Sequence, residues 1–125
     1  MGTFKDLSVF QKAYQLALDI YFLTKTFPEE EKFGIISQIR RSSRSVCSNF
    51  VEAYRRRNYT KHFVSKLSDC LSENSETGLW LDFSKDMELL KYDQHRDFKT
   101  RNEEIGRFLN FMINNPERFI WKEKK

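Results

Sequence analysis

Between Gln38 and Arg57 the residues Ile39, Ser43, Val46, Phe50 and Ala53 follow one another at steps of 4, 3, 4 and 3, the period of a helix buried along one edge. A strand cannot use this pattern, because its side chains alternate from face to face with a period of about two. At roughly 100° per residue, Arg40, Arg41, Arg44 and Arg55 fall together on the opposite face. The spacing therefore predicts a helix that packs by one side and presents cations on the other. The same stretch holds six arginines and a single acid, Glu52, so it carries a charge of +5 in a chain whose net charge is +4. The basicity is a local feature, which is the form an anionic partner senses.

Three further segments show the same helical period. In the first, Phe10, Ala13, Ala17, Ile20, Thr24 and Phe27 recur at threes and fours, predicting a helix over about 6–27 with Asp6 or Ser8 as its cap. Phe27-Pro28-Glu29-Glu30-Glu31 reads as the start of a second helix running over about 28–57. Proline fits a first helical turn, and acids there meet the positive end of the helix dipole. That helix would be about 45 Å long, with Phe33 and Ile36 opening its apolar edge. Asn58-Tyr59-Thr60 breaks the arginine run before a third helix over about 60–90, in which Phe63, Leu67, Cys70, Asn74, Thr77 and Leu81 form one stripe and Trp80, Phe83, Met87 and Leu90 a second. Two apolar faces imply more than one neighbour. Asn74 and Thr77, polar on the inner face, are expected to find partners between helices. A fourth helix over about 93–114 carries Phe98, Ile105, Leu109 and Met112 inward, and Asn114-Asn115-Pro116 stops it.

Four amphipathic segments on short connections predict an all-α, antiparallel, up-down-up-down four-helix bundle over residues 1–115. The remainder, 116–125, is a tail expected to dock partly through Phe119, Ile120 and Trp121. A length of 125 residues fits one domain, and 15% aromatic with 32% charged residues fits a compact core beneath a solvated surface. The absence of a charged n-region with a following apolar run, and of any apolar run near the ~18 residues a membrane span requires, predicts a soluble cytoplasmic protein. Two cysteines far apart in sequence, Cys47 and Cys70, read as reduced packing residues.

The usual chemistries find no support. His62 and His95 are the only histidines, and the sequence places no nucleophile beside either. Glu73 and Glu76 share a helical turn but lack the spaced histidines of a di-iron bundle site, so they read as solvated or ion-paired. No glycine-rich phosphate loop is present. The chain is expected to have no catalytic residues, no metal site and no cofactor.

What remains is the arginine segment, with two readings. Arg40, Arg41, Arg44, Arg55, Arg56 and Arg57 form a candidate nucleic-acid-binding set, since guanidinium groups bind phosphate in pairs of hydrogen bonds, and the flanking Tyr54 and Tyr59 can stack on unpaired bases. Alternatively the arginines pair with acids such as Glu29, Glu30 and Glu31 of a neighbouring subunit, making a protein-interaction or scaffolding oligomer.

The opening Phe4-Lys5-Asp6-Leu7 with Val9-Phe10-Gln11-Lys12-Ala13, the turn Phe27-Pro28 with Glu31-Lys32-Phe33-Gly34, and above all Gln38-Ile39-Arg40-Arg41-Ser42-Ser43, Ser45-Val46, Ser48-Asn49-Phe50 and Glu52-Ala53 resemble the four helix bundle protein family. That family includes proteins encoded in 23S ribosomal RNA intervening sequences and, more distantly, the accessory variability determinants of diversity-generating retroelements. Cys47 and Ala53 stand where the family pattern has proline and glycine, which implies a straighter second helix. The resemblance implies a cytoplasmic bacterial bundle without enzymatic activity, assembling as a homopentamer. It also implies RNA or DNA as a candidate partner, because the retroelement relatives bind nucleic acid and a reverse transcriptase.

Overall fold

A computed structural model of the chain describes residues 7–120. These form α1 (Ser8–Thr24), α2 (Ile35–Arg55), α3 (Thr60–Asp86) and α4 (Tyr92–Asn114), with single 3₁₀ turns at Glu29–Glu31 and Pro116–Arg118 and no strand among the described residues. The helices run alternately up and down. α2 and α3 share the most extensive seam, α3 packs next on α4, and α1 leans on α2 and α4. The expected antiparallel four-helix bundle is the observed one.

The core is built largely from the residues the periodicity selects, except that in α1 Val9 and Leu16 are buried and Ala17 is only half-buried, so the stripe lies one residue off there. Ile20, Ile39, Phe50, Phe63, Leu67, Leu81, Ile105, Leu109 and Met112 are almost wholly buried, one or more from every helix. Their removal from water is the principal force holding four otherwise marginal helices together.

The helix boundaries differ from the sequence reading in informative ways. α1 ends at Thr24, whose hydroxyl donates back to the carbonyl of Ile20 at 2.8 Å, while Phe27 still tucks into the core. Leu7 occupies the N-cap position without a side-chain bond and Ser8 is already helical, so Ser8 does not cap α1. Asp6, the other candidate cap, lies outside the described residues.

The second helix does not start at Pro28. Residues 29–31 make one 3₁₀ turn, Gly34 leaves the helical region at φ −105°, ψ −117°, and α2 begins at Ile35. Its 21 residues span about 31 Å rather than 45 Å. Burial explains the break, because a continuous helix from Pro28 would have to carry Phe33 inward, whereas Phe33 is 89% exposed and Ile35 and Ile36 are buried. Gly34 permits it: a Cβ there would lie 2.9 Å from Oε1 of Glu31, the oxygen that accepts the Ile35 backbone N–H at 3.5 Å. The acidic start signal thus serves a helix that begins about two turns later.

α3 stops at Asp86 rather than Leu90. Glu88 adopts φ 62°, and the N–H groups of Glu88 and Leu89 donate to the carbonyls of Lys85 and Ser84 at 2.9 and 2.8 Å. This is a Schellman closure with glutamate where glycine is usual. At the start of α4 the Lys91 backbone N–H donates to Oε1 of Gln94. Beyond Asn114, Phe119 and Ile120 are half-buried against the core, Phe119 meeting Phe111 edge-on with ring centroids 6.1 Å apart. Trp121 lies outside the described residues.

Polar groups in the interior are matched in pairs. Thr77 donates to the Ser42 hydroxyl at 2.8 Å, tying α3 to α2. Asn74 donates to both the backbone and side-chain oxygens of Asn102 at 3.0 Å, and Asn102 returns a bond to the Asn74 carbonyl. A glycine stands beside each amide. A Cβ on Gly106 would meet Oδ1 of Asn74 at 2.6 Å, and one on Gly78 would meet Nδ2 of Asn102 at 3.1 Å. The two helices therefore exchange the same Asn-x-x-x-Gly element, and no buried side-chain nitrogen or oxygen among the described residues is left without a partner.

Candidate nucleic-acid interface

α2 carries the basic face that the spacing predicts, but its edges are spent on neighbouring helices. Arg40, at one edge, sends Nε to the Thr24 hydroxyl at 2.8 Å and reaches the Tyr21 carbonyl at 3.4 Å, with its guanidinium 4.6 Å from the centre of the Tyr21 ring. It neutralises the carbonyl end of α1, where a cation is favoured. Arg41, at the other edge, pairs with Glu73 at 2.9 Å and with Glu76, both on α3. The bond to Glu76 raises Arg41 above its ordinary pKa, and the same bond holds the Glu76 carboxyl below its own. Glu73 and Glu76, read from the sequence as solvated or ion-paired, are ion-paired.

Between these edges Arg44 is exposed and lies 5.9 Å from the Tyr21 ring, while Arg55 and Arg56 are exposed and make no ion pair with described residues. Arg57 behaves differently. It is 6% exposed, donates from Nε to the Tyr54 carbonyl at 2.8 Å and sits 3.4 Å over the Tyr54 ring, and burial lowers its pKa. Tyr54 is itself buried, stacked on Phe50 with centroids 6.3 Å apart. Of the two tyrosines assigned as stacking platforms, Tyr54 is therefore part of the core. Tyr59, 62% exposed beside the His62 ring at 5.7 Å, is the one presented to solvent.

The structure brings Arg55, Arg56 and Tyr59 to one end of the bundle, the turn between α2 and α3. It adds residues that linear reading of the arginine run missed. Lys61 and His62 are exposed in the first turn of α3, and Lys66 one turn further on holds Glu52 at 3.1 Å and Asp69 at 3.3 Å. The bond to Glu52 raises Lys66 above its ordinary pKa. The acids of the adjoining turns share Lys66, and Arg55, Arg56 and Lys61 make no ion pair with described residues. The signal for this cluster is the i, i+3 and i, i+4 spacing across the turn, which only a known helix start at Thr60 makes readable.

Other candidate groups resolve into structural roles. His95 lies 2.8 Å from Asp82, which Lys99 also holds at 2.8 Å from α4. Burial works to raise the Asp82 pKa, and the bonds from Lys99 and His95 outweigh it, leaving that pKa lowered. Cys47 is half-buried and Cys70 buried; both are free thiols that burial pushes up to about 11 and about 12, far from the thiolate range of a reactive cysteine. Among the described residues no three His, Cys, Asp or Glu side chains are grouped so as to hold a metal ion. None of the described helices is long and apolar enough to cross a membrane. Between α1 and α2 lies an open groove of about 550 Å³, lined by Phe10, Tyr14, Leu18, Tyr21 and Val51 with Arg44 and Cys47 on the α2 side.

Residues 5–111 match the sequence pattern of the 23S rRNA-intervening sequence protein family. The chain belongs to that family. A solved structure agrees with the assignment: a protein of unknown function from the S23 ribosomal protein family of Bacteroides thetaiotaomicron is 27% identical, with a TM-score of 0.76 over 85% of this chain and 95% of that one. No curated protein sequence matches the chain. Family membership and the solved structure agree on the helical fold, and the partner of the arginine surface is left to its chemistry.

Proposed function

We propose that this 23S rRNA-intervening sequence protein is a non-enzymatic, cytoplasmic accessory factor that binds the phosphate backbone of RNA or DNA through α2 and the α2–α3 turn. The observation that carries the reading is the exposure of Arg44, Arg55 and Arg56 without an acidic partner, on a protein that elsewhere pairs Arg41, Lys66, Lys99 and Arg101 with carboxylates. Arg40, Arg41 and Arg57 support that surface by fixing α2 to α1, α3 and its own last turn. In this reading the binding residues are Arg44, Arg55 and Arg56, and the other three position them.

The test is RNA affinity measured across a salt series for the wild type and for Arg44→Ala/Arg55→Ala/Arg56→Ala. Each lost phosphate contact lowers the slope of log K against log salt by about 0.7–0.9, so the triple variant should bind more weakly and with a slope lower by about 2. An unchanged slope overturns the assignment.

A second reading, a scaffolding oligomer and by family resemblance a homopentamer, is favoured by a separate observation. Leu79 and Phe83 on α3 and Met87 just past its end stand exposed at a spacing of four, and Glu29 and Glu30 are exposed without ion pairs to described residues. Here the same triple variant should shift the particle mass in solution, read by light scattering. The two readings coexist if mass and salt slope change independently.

A further inference from the structure

We infer that the α2–α3 turn is a site for unpaired nucleotides, with Tyr59 as a base-stacking platform inside a ring of phosphate-binding cations, so that the protein prefers single-stranded to duplex RNA. The inference rests on the nucleic-acid reading above and adds to it the class of nucleic acid and the residue that selects it.

Four observations meet at this turn. Tyr59 is 62% exposed, the most exposed tyrosine after Tyr92, although its neighbours in sequence include residues that fold away from water. It has a buried counterpart in Tyr54, which keeps its ring beneath the Arg57 guanidinium, so exposure is not a general property of aromatics at this end of the bundle. His62, one helical turn on, lies 5.7 Å from Tyr59 centroid to centroid and steadies the ring from one side. Arg55, Arg56 and Lys61 stand exposed within four residues of Tyr59 along the chain, and Lys66 bridges the carboxylates of Glu52 and Asp69.

The chemistry distinguishes partners. A duplex offers phosphates but keeps its base faces stacked inside, so it can use the cations and not the ring. An unpaired strand offers both, and a base stacked on the aromatic ring adds affinity whatever its sequence, because every base has a π-face. An acidic peptide can also use the cations, but has no flat π-surface for Tyr59. Because the backbone N–H of Tyr59 donates to Arg56 and its carbonyl accepts from Phe63, truncating its side chain leaves the turn's own bonds in place.

The experiment measures fluorescence anisotropy of a short labelled oligouridine, a blunt RNA duplex of matched length, and polyglutamate, against the full chain and against Tyr59→Ala, Tyr59→Trp and Arg55→Ala/Arg56→Ala. The expected result is that wild type binds oligouridine more tightly than the duplex, that Tyr59→Ala weakens the oligouridine complex about tenfold while leaving duplex affinity and the salt slope unchanged, and that Tyr59→Trp restores it. The double arginine variant should lose affinity for both RNAs and lower the salt slope. Duplex binding equal to oligouridine binding, or equal loss of both in Tyr59→Ala, overturns the stacking role while leaving backbone binding intact. Failure of wild type to bind either RNA overturns the underlying function, and polyglutamate binding as tight as oligouridine assigns the patch to acidic proteins instead.

Discussion

The α3–α4 seam and the α1–α2 seam are both antiparallel helix contacts, yet one is closed and the other open. Where α3 meets α4, glycines at 78 and 106 let the backbones approach, the amides of Asn74 and Asn102 bond reciprocally, and Asp82 is gripped by His95 and Lys99 at the rim. Where α1 meets α2, Tyr14 and Leu18 stand out from α1, Arg44 rises from α2, and a groove of about 550 Å³ remains. The difference teaches where specificity is spent. The closed seam uses its polar residues on itself and gives the bundle a fixed frame, and the open side leaves apolar and cationic groups exposed.

The sharpest way to break this contrast is Gly106→Ala. Alanine is the better helix former by about 1 kcal/mol, but its methyl would strike an amide oxygen that cannot move without abandoning Asn102. The net expectation is a loss of about 2–3 kcal/mol, read from urea unfolding at unchanged m-value. A gain in stability would show the seam to be softer than described.

Glu88→Gly probes the end of the same frame. Relief of the left-handed glutamate should stabilise the protein by about 1 kcal/mol, seen as a raised Tm.

Acid should next loosen the closed seam at Asp82 and the α2–α3 contact at Glu76. Asp82 and Glu76 have folded pKa values below their ordinary ones, so the stability they contribute is present above the unfolded values and is lost as pH falls through the lower folded ones. Stability should therefore be flat above about pH 5 and decline below about pH 4, and Asp82→Asn should blunt the decline. A decline of the same depth in that variant would remove Asp82 from the account.

The smallest effect is expected on the open side. Leu18→Ser, at 39% exposure, should alter unfolding by no more than about 0.5 kcal/mol. A larger cost would mean that the groove is part of the frame.

The amphipathic period made the bundle legible, because each buried stripe is an arithmetic property of one segment. Pro116 likewise marked the end of α4 in a single residue. What escaped reading depended on partners elsewhere in the chain. Phe33 looks apolar and correctly phased, but only the packing of Ile35 and Ile36 shows that it is left outside. Glu88 gives no sign of a helix end, since glycine is the residue that normally announces a left-handed cap. The cationic face of α2 was visible in the spacing, whereas the fates of its members were not. Arg40 finds α1, Arg41 finds α3, and Arg57 folds onto Tyr54, leaving Arg44, Arg55 and Arg56 in solvent. The Asn-x-x-x-Gly pair, by contrast, was written twice in the sequence at 74–78 and 102–106 and could have been found as a repeat.

That repeat has a mechanical consequence. Sliding α4 along α3 by one turn, about 5.4 Å, would carry each amide away from its glycine notch and break the bonds between Asn74 and Asn102. No intermediate setting satisfies them, so the two helices fit together like a key in a cut lock, at one depth. The setting of α4 against the helix that carries the cationic tip is thereby fixed by two asparagines buried at its waist.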